Sequence, residues 1–381
     1  MVAAVAPVNN LRMGAFFQKT TLSMAIAIFS MFFGAGNAIF PLVLGRQTGD
    51  YFGWAFLGLL VTGIGGPLLG LIGGTLYRGQ CIEFFGRAGK IGGPLLIFVT
   101  LGLLGPFAVL PRCVIVAHAA VLPLFPSFPL WVFSLLLCFL GLLFCFRRTF
   151  LLPVLGYVLS PILIGSLLMI SCESLFSPTA AAIDPTMSQG KAFLGGISTG
   201  YATMDLIASI YFSAGIWTMI QLHSNDKSPK TIFSTTFKSG ILGCLFLALI
   251  YWGLTHAAAV YADNLEDVPP AQMMSHLANT ALGTKMGLVA NLAIILACFT
   301  TIISLVMTIA DIFSKQISQK QFSYKTLIIV QLVITALIAP IGFDGIMSAI
   351  HYPIMIAYPL IIVLTIYNIM HKIRAPIQLV N

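Results

Sequence analysis

The stretch Phe32-Phe33-Gly34-Ala35-Gly36-Asn37-Ala38-Ile39-Phe40-Pro41 sets two glycines, an asparagine and a proline inside the first long apolar segment of the chain. Glycine weakens a helix and proline removes one of its ladder hydrogen bonds, so this helix is composed to break. In hydrocarbon an unpaired peptide group costs several kcal/mol, and non-helical backbone at membrane depth survives only where protein buries it or where it lines a cavity. A break over residues 34–37 therefore predicts a binding site.

The surrounding composition sets the class. Of 381 residues, 59% are hydrophobic and 8% charged, and 29 are Phe; an ordinary soluble domain carries about 25% charged residues. A helix needs about 20 apolar residues to cross a bilayer, and ten such segments are expected near 20–44, 53–76, 92–119, 129–146, 149–171, 193–221, 239–260, 286–313, 325–341 and 345–370. Arg12 and Lys19 ahead of an apolar run resemble a secretory leader, but the run continues through the Gly-Asn break without a small-residue cleavage site, so the first helix is expected to be retained.

Positive charge is held on the cytoplasmic side of a membrane protein. All of the 19 Lys and Arg residues except Arg46, Arg112, Lys191 and Lys285 fall in alternate segments that share one side. Asp50, Glu173, Asp184, Asp263, Glu266, Asp267 and Asp344 fall on the other. Both termini are thus expected in the cytoplasm. The net charge of +8 is accounted for by these short loops and forms no continuous patch, so no nucleic-acid partner is expected. The 7 cysteines show no CxxC spacing and are expected to pack rather than to bind a metal or form disulfides.

The expected organisation is a cytoplasmic segment 1–19, a first five-helix repeat 20–172, an external connection 173–192, a second five-helix repeat 193–371 and a cytoplasmic tail 372–381. Five spans per half is odd, so the second half enters from the opposite face and the halves are inverted. The second half also opens on a run that should break, Gly195-Gly196-Ile197-Ser198-Thr199-Gly200-Tyr201-Ala202-Thr203-Met204-Asp205. Interrupted helices at matching positions of inverted halves point to a secondary transporter with its site at mid-bilayer; glycine used for close helix packing is the competing explanation. Residues 261–285, with Asp263, Glu266, Asp267 and Pro269-Pro270, read either as a lid over the external mouth or as an unstructured acidic loop.

Within the breaks, Asn37 offers an amide to both signs of partner, and the N–H groups of Gly34, Ala35 and Gly36 can receive an anion. In the eighth span, Ala297-Cys298-Phe299-Thr300-Thr301 places adjacent hydroxyls at mid-depth. Such hydroxyls often bond back to their own helix, but hydroxyl and carbonyl oxygens also make a hard, neutral cage suited to sodium. Arg112 and Asp205 are the charged groups placed well inside the spans, where ionisable residues default to function. They can pair as a gate, pin two helices structurally, or let Asp205 carry a proton.

Phe32 to Pro41 with Gly45, then Gly53-Trp54-Ala55, Thr62-Gly63-Ile64-Gly65-Gly66-Pro67-Leu68-Leu69-Gly70, Gly105-Pro106-Phe107-Ala108-Val109-Leu110-Pro111-Arg112, Gly200 to Asp205 and Ala297 to Thr301 together resemble the branched-chain amino acid:cation symporters. The likeness covers most of residues 20–370. It implies an all-α membrane protein of the leucine-transporter type, a ten-helix five-plus-five inverted repeat with discontinuous first and sixth helices. It implies that Gly34, Ala35, Gly36 and Asn37 meet the carboxylate and ammonium of the substrate, with Ser198, Thr199, Gly200, Tyr201 and Thr203 completing the site and Phe107 helping to select an aliphatic side chain. By analogy of fold, Thr300 and Thr301, with the carbonyls of Ser30, Phe33 and Ala297, form the cation site. The family is drawn with twelve spans; this chain ends at Asn381, soon after the tenth, and its ten-helix core is expected to be whole.

The expected function is import of leucine, isoleucine and valine with a co-transported cation, Na+ before H+, by alternating access, with no cofactor and no enzymatic step. A channel lined by the polar breaks is the alternative. An intramembrane enzyme would need a nucleophile, base or metal constellation, and the 6 histidines are dispersed.

Overall fold

Two helices replace a continuous first span: α1 (Lys19–Phe32) and α2 (Ala35–Thr48), separated by Phe33 and Gly34. The computed structural model describes residues 19–147, 164–176, 179–180, 186–223, 228–317 and 322–374. The predicted break is present and is short. Helix α2 resumes at Ala35, with the Asn37 and Ala38 N–H groups donating to the Gly34 carbonyl at 3.1 and 3.3 Å. Pro41 lies inside α2; lacking an N–H, it leaves the Asn37 carbonyl without its ladder donor.

The second span is α3 (Phe52–Leu59), a π turn over Leu60–Ile64 and α4 (Gly65–Leu76). After the short α5 (Cys81–Gly86), the third span is interrupted as well: α6 (Gly89–Leu104) and α7 (Val109–Val121) flank a turn at Gly105–Ala108. This interruption was not expected, although Gly105-Pro106 marks it. The fourth span is α8 (Leu130–Arg147), and α9 (Ile164–Ser174) is the described part of the fifth, whose expected residues 149–163 lie outside the described ones. So do 1–18, part of 173–192, and 375–381 of the expected tail.

The sixth span is α10 (Gln189–Thr203) and α11 (Asp205–His223), joined through Met204. The seventh is α12 (Pro229–Val260), followed by α13 (Ala262–Leu265). Helix α14 (Pro270–Ile312) is kinked at Gly283, where φ is 72° and ψ 171°, a conformation essentially confined to glycine. Residues 270–282 form an arm, and the remainder is the eighth span. Helices α15 (Tyr324–Ile338) and α16 (Phe343–Arg374) complete ten spans. The acidic 261–285 region is therefore largely helical. Met273, Met274 and Leu277 bury one face of the arm, which supplies the apolar contact that an unstructured loop would lack.

Span one packs on span seven (α1 and α2 on α12), span two on six (α3 on α10, α4 on α11), three on eight (α7 on α14) and four on nine (α8 on α15). Exchanging each span with the one five places later leaves this set of pairs unchanged. That is the contact signature of two like halves wrapped around each other.

Small residues make these contacts. A β-carbon on Gly196 would collide with the Ala55 carbonyl, one on Gly58 with the Phe193 carbonyl, and one on Gly200 with the Thr62 hydroxyl. The Thr62 hydroxyl donates to the Ile197 carbonyl at 2.9 Å. The glycines at 195–200 thus let α10 lie against the second span, and α10 runs unbroken to Thr203. The break falls inside the expected run 195–205, near its end, at Met204.

Each end of the bundle has its own polar contacts. Arg46 donates to the Leu265 and Val268 carbonyls at 2.8 and 3.0 Å. At the other end, Lys372 pairs with Glu83 at 3.3 Å. Buried Asn368 donates to the Phe84 carbonyl at 2.9 Å and accepts from the Tyr77 hydroxyl at 3.2 Å.

Candidate functional site

Asn37, in the first turn of α2, has every polar group of its side chain occupied. Its Oδ1 accepts from the Gly34 N–H at 3.3 Å, capping the restarted helix. Its Nδ2 donates to Asp205 Oδ2 at 2.6 Å and to the Tyr251 hydroxyl. Tyr251 in turn donates to the same Asp205 oxygen at 3.0 Å, closing a three-membered ring. All three residues are buried. The ring ties the first break to the second across 168 residues of sequence.

Met204 makes the second break in the left-handed region, at φ 62° and ψ 17°. A non-glycine residue there costs about 1 kcal/mol, which the fully buried Met204 side chain helps to offset. The break exposes the C-terminal carbonyls of α10 and the N-terminal amides of α11. Arg112 Nη1 donates to the Ala202 carbonyl at 2.8 Å, and Asp205 is the first residue of α11. Each charge therefore faces the half-helix end of opposite sign.

Arg112 and Asp205 do not form the direct pair that was one expectation. Ion pairs instead join Lys315 to Asp311 and Lys372 to Glu83. The Arg112 guanidinium lies over the Phe40 ring, 5.2 Å from its centroid, and its Nε has no partner at 1% exposure.

Of the other expected substrate residues, Ala35 and Gly36 open α2, where first-turn N–H groups lack intrahelical acceptors; the Ala35 N–H lies against the Cys113 thiol. Tyr201 stacks on Tyr358 with centroids 4.7 Å apart, and the Tyr358 hydroxyl accepts from the Leu206 N–H at 3.2 Å. Thr203 donates to the Gly200 carbonyl at 2.9 Å and accepts from the Asp205 N–H at 3.5 Å. Ser198 is exposed and Thr199 bonds back to Gly195 at 2.8 Å, so neither reaches the break. Gly196 to Gly200 also spells G-x-S-x-G, but the nucleophile elbow needs a strand-to-helix turn and this run is mid-helix. Phe107 is 46% exposed on the turn of the third span, with its ring against Gly102.

The expected cation residues are partly assembled. The Thr301 methyl packs toward Gly34, and the Thr300 and Thr301 hydroxyls both donate to the Ala297 carbonyl at 3.0 and 2.8 Å. Donating in this way leaves both hydroxyl oxygens with lone pairs to offer. Phe33 is buried at the break, and Ser30, expected through its carbonyl, stands in the last turn of α1 with its side chain on an exposed face. Tyr251 and Tyr358 were missed from the sequence. Their one signal there is a hydroxyl standing alone in an apolar span.

Structure comparison finds the same fold in solved proteins. The nucleobase-cation-symport-1 family transporter Mhp1 matches in its inward-facing conformation with a TM-score of 0.65 at 15% identity, covering 91% of this chain and 75% of that one. A Na+-coupled sialic acid symporter in a substrate-bound outward-open state matches with a TM-score of 0.59 at 12% identity, covering 93% and 80%. The fold is that of the leucine-transporter type, ten helices in a five-plus-five inverted repeat with discontinuous first and sixth helices. In sequence, the chain is 29% identical over 363 residues to the branched-chain amino acid permease BraB of Bacillus subtilis, covering 93% of this chain and 81% of the permease. It is 27% identical over 377 residues to a putative branched-chain amino acid carrier protein of Staphylococcus aureus, covering 93% and 83%. The family model described as branched-chain amino acid transport protein matches residues 17–380, and the chain, an integral multi-pass membrane protein, belongs to that family.

Proposed function

We propose that this protein is a secondary active transporter that carries leucine, isoleucine and valine into the bacterial cell together with a cation, sodium in preference to a proton. The observation that carries the reading is the shared position of Gly34 and Asn37. The first break touches the second through the Asn37–Asp205 bond and touches the hydroxyl pair of α14 through Thr301. One hinge thus belongs to both sites, so an ion that steadies it raises solute affinity, and linkage demands the reverse as well.

Gly34, Ala35, Gly36 and Asn37 receive the amino acid, with Tyr201 and Thr203 at the second break. Thr300 and Thr301, with the Ala297 and Phe33 carbonyls, hold the cation. Arg112 and Asp205 fasten the second break and release it during transport. Repeats 20–172 and 193–371 rock against each other in the cytoplasmic membrane, and both termini face the cytoplasm. The names of the relatives support the substrate class, and the sodium coupling stated for the sialic acid symporter supports the ion.

Leucine uptake into proteoliposomes under separately imposed sodium and proton gradients tests the proposal. Saturable uptake driven by the sodium gradient at a fixed ion-to-solute ratio is expected. Flux that neither saturates nor follows an ion gradient would mean a pore instead.

A further inference from the structure

We propose that Arg112 and Asp205, the latter with Tyr251, read the two charges of a zwitterionic substrate: the guanidinium takes its carboxylate and the Asp205 carboxylate takes its ammonium. This deepens the transport reading and rests on it for the identity of the solute.

Arg112 is 1% and Asp205 4% exposed, and they are not paired with each other. Each is held by neutral partners. Arg112 bonds the Ala202 carbonyl, while Asp205 receives the Asn37 amide and the Tyr251 hydroxyl. A buried charge satisfied by neutral groups gains when an opposite charge replaces them, because a hydrogen bond between two ions is the stronger kind.

The two charges flank one break, with Ala202 and Asp205 on either side of Met204. Arg112 Nε lacks any partner. Beside the same guanidinium, a β-carbon on Gly36 would stand 3.6 Å from Nη2 and 3.3 Å from the Phe40 ring, so a carboxylate enters there as that ring turns aside. A carboxylate there would also face the first N–H groups of α2. On the other side, the Tyr251 hydroxyl can turn from donating to Asp205 to accepting from an ammonium, because a hydroxyl serves in both roles. One buried positive and one buried negative charge match a solute carrying one of each. A solute with only one charge leaves a buried ion unanswered.

Competition with radiolabelled leucine uptake tests this on the unaltered protein, using 4-methylpentanoate, which lacks the ammonium, and 3-methylbutylamine, which lacks the carboxylate. Each is expected to compete at least about 100-fold more weakly than leucine. Either one competing within about threefold of leucine overturns the assignment. In variants the effect should follow the missing charge. Asp205→Asn should weaken leucine at least about tenfold and leave 4-methylpentanoate unchanged, and Arg112→Gln should weaken leucine and leave 3-methylbutylamine unchanged. Equal losses for leucine and analogue would reveal mere structural support and overturn it. Where a variant does not assemble, the analogue series decides. Thermal stabilisation of the purified protein by leucine separates the two proposals. Protein that binds leucine and rejects both analogues without transporting it keeps this inference and loses the transport reading.

Discussion

Thr301 stands against Gly34: its methyl lies 3.7 Å from the point that a β-carbon on Gly34 would occupy. The hydroxyl pair of the eighth span and the break in the first are thereby neighbours, although 267 positions separate the two residues in the chain numbering. Thr301→Val removes the hydroxyl oxygen and keeps a methyl against Gly34, whereas Thr301→Ala removes both groups. Thr301→Val is expected to raise the sodium concentration for half-maximal uptake about tenfold, with less change in leucine affinity at saturating sodium. Equal losses in both, read from uptake curves at varied sodium and leucine, would argue against a dedicated ion site.

Asn37 is the one side chain that joins Gly34, Asp205 and Tyr251. Asn37→Ala leaves the Gly34 N–H uncapped and withdraws the donor bonds to Asp205 at the second break and to Tyr251 of α12. Uptake is expected to be lost while the protein remains inserted and monodisperse in detergent. Retained transport would remove Asn37 from the site.

Gly196 has no space for a side chain, since the Ala55 carbonyl stands where its β-carbon would be. Gly196→Ala must push α10 off α3, at a cost of about 3 kcal/mol. A β-carbon on Gly53 meets nothing within 4 Å, so Gly53→Ala is expected to be neutral or to stabilise by about 0.5 kcal/mol. Thermal unfolding of the two purified variants should differ in this direction.

Gly283 links the arm to the eighth span at φ 72° and ψ 171°. Alanine there costs about 1–3 kcal/mol, and asparagine gives no relief because ψ lies far from the left-handed helical value. Both substitutions are expected to lower the melting temperature, and an unchanged value for Gly283→Ala would show that the arm joins the span differently.

Cys172, at the end of α9, is the exposed one of the seven cysteines. The proposed orientation, with the basic loops in the cytoplasm, puts it on the outer side. A membrane-impermeant maleimide added to whole cells should label the protein, and Cys172→Ser should abolish the labelling. Labelling only after the cells are opened would invert the topology.

Much of this architecture can be read along the chain, because in a bilayer backbone pairing is obligatory and its violations are written in residue type. Apolar runs locate the spans, and Gly34 to Pro41 locates the first break within a residue or two of Phe33 and Gly34. The sixth span shows where local reading ends. Glycine serves both to interrupt a helix and to admit a neighbour, and the choice between them depends on what stands opposite. Ala55, Phe193 and Thr62 make the 195–200 part of the expected run an interface, and the interruption falls near the end of that run at Met204, a residue with no local preference for it. The helical arm before Gly283 belongs to the same class, since its apolar face needs partners to pack on, whereas the turn at Gly105–Ala108 carries a local mark in Gly105-Pro106. The ring of Asn37, Asp205 and Tyr251 is the clearest case. Each residue alone is an ordinary polar group in an apolar helix, and their meeting exists only because span one packs on span seven and the two halves close on each other.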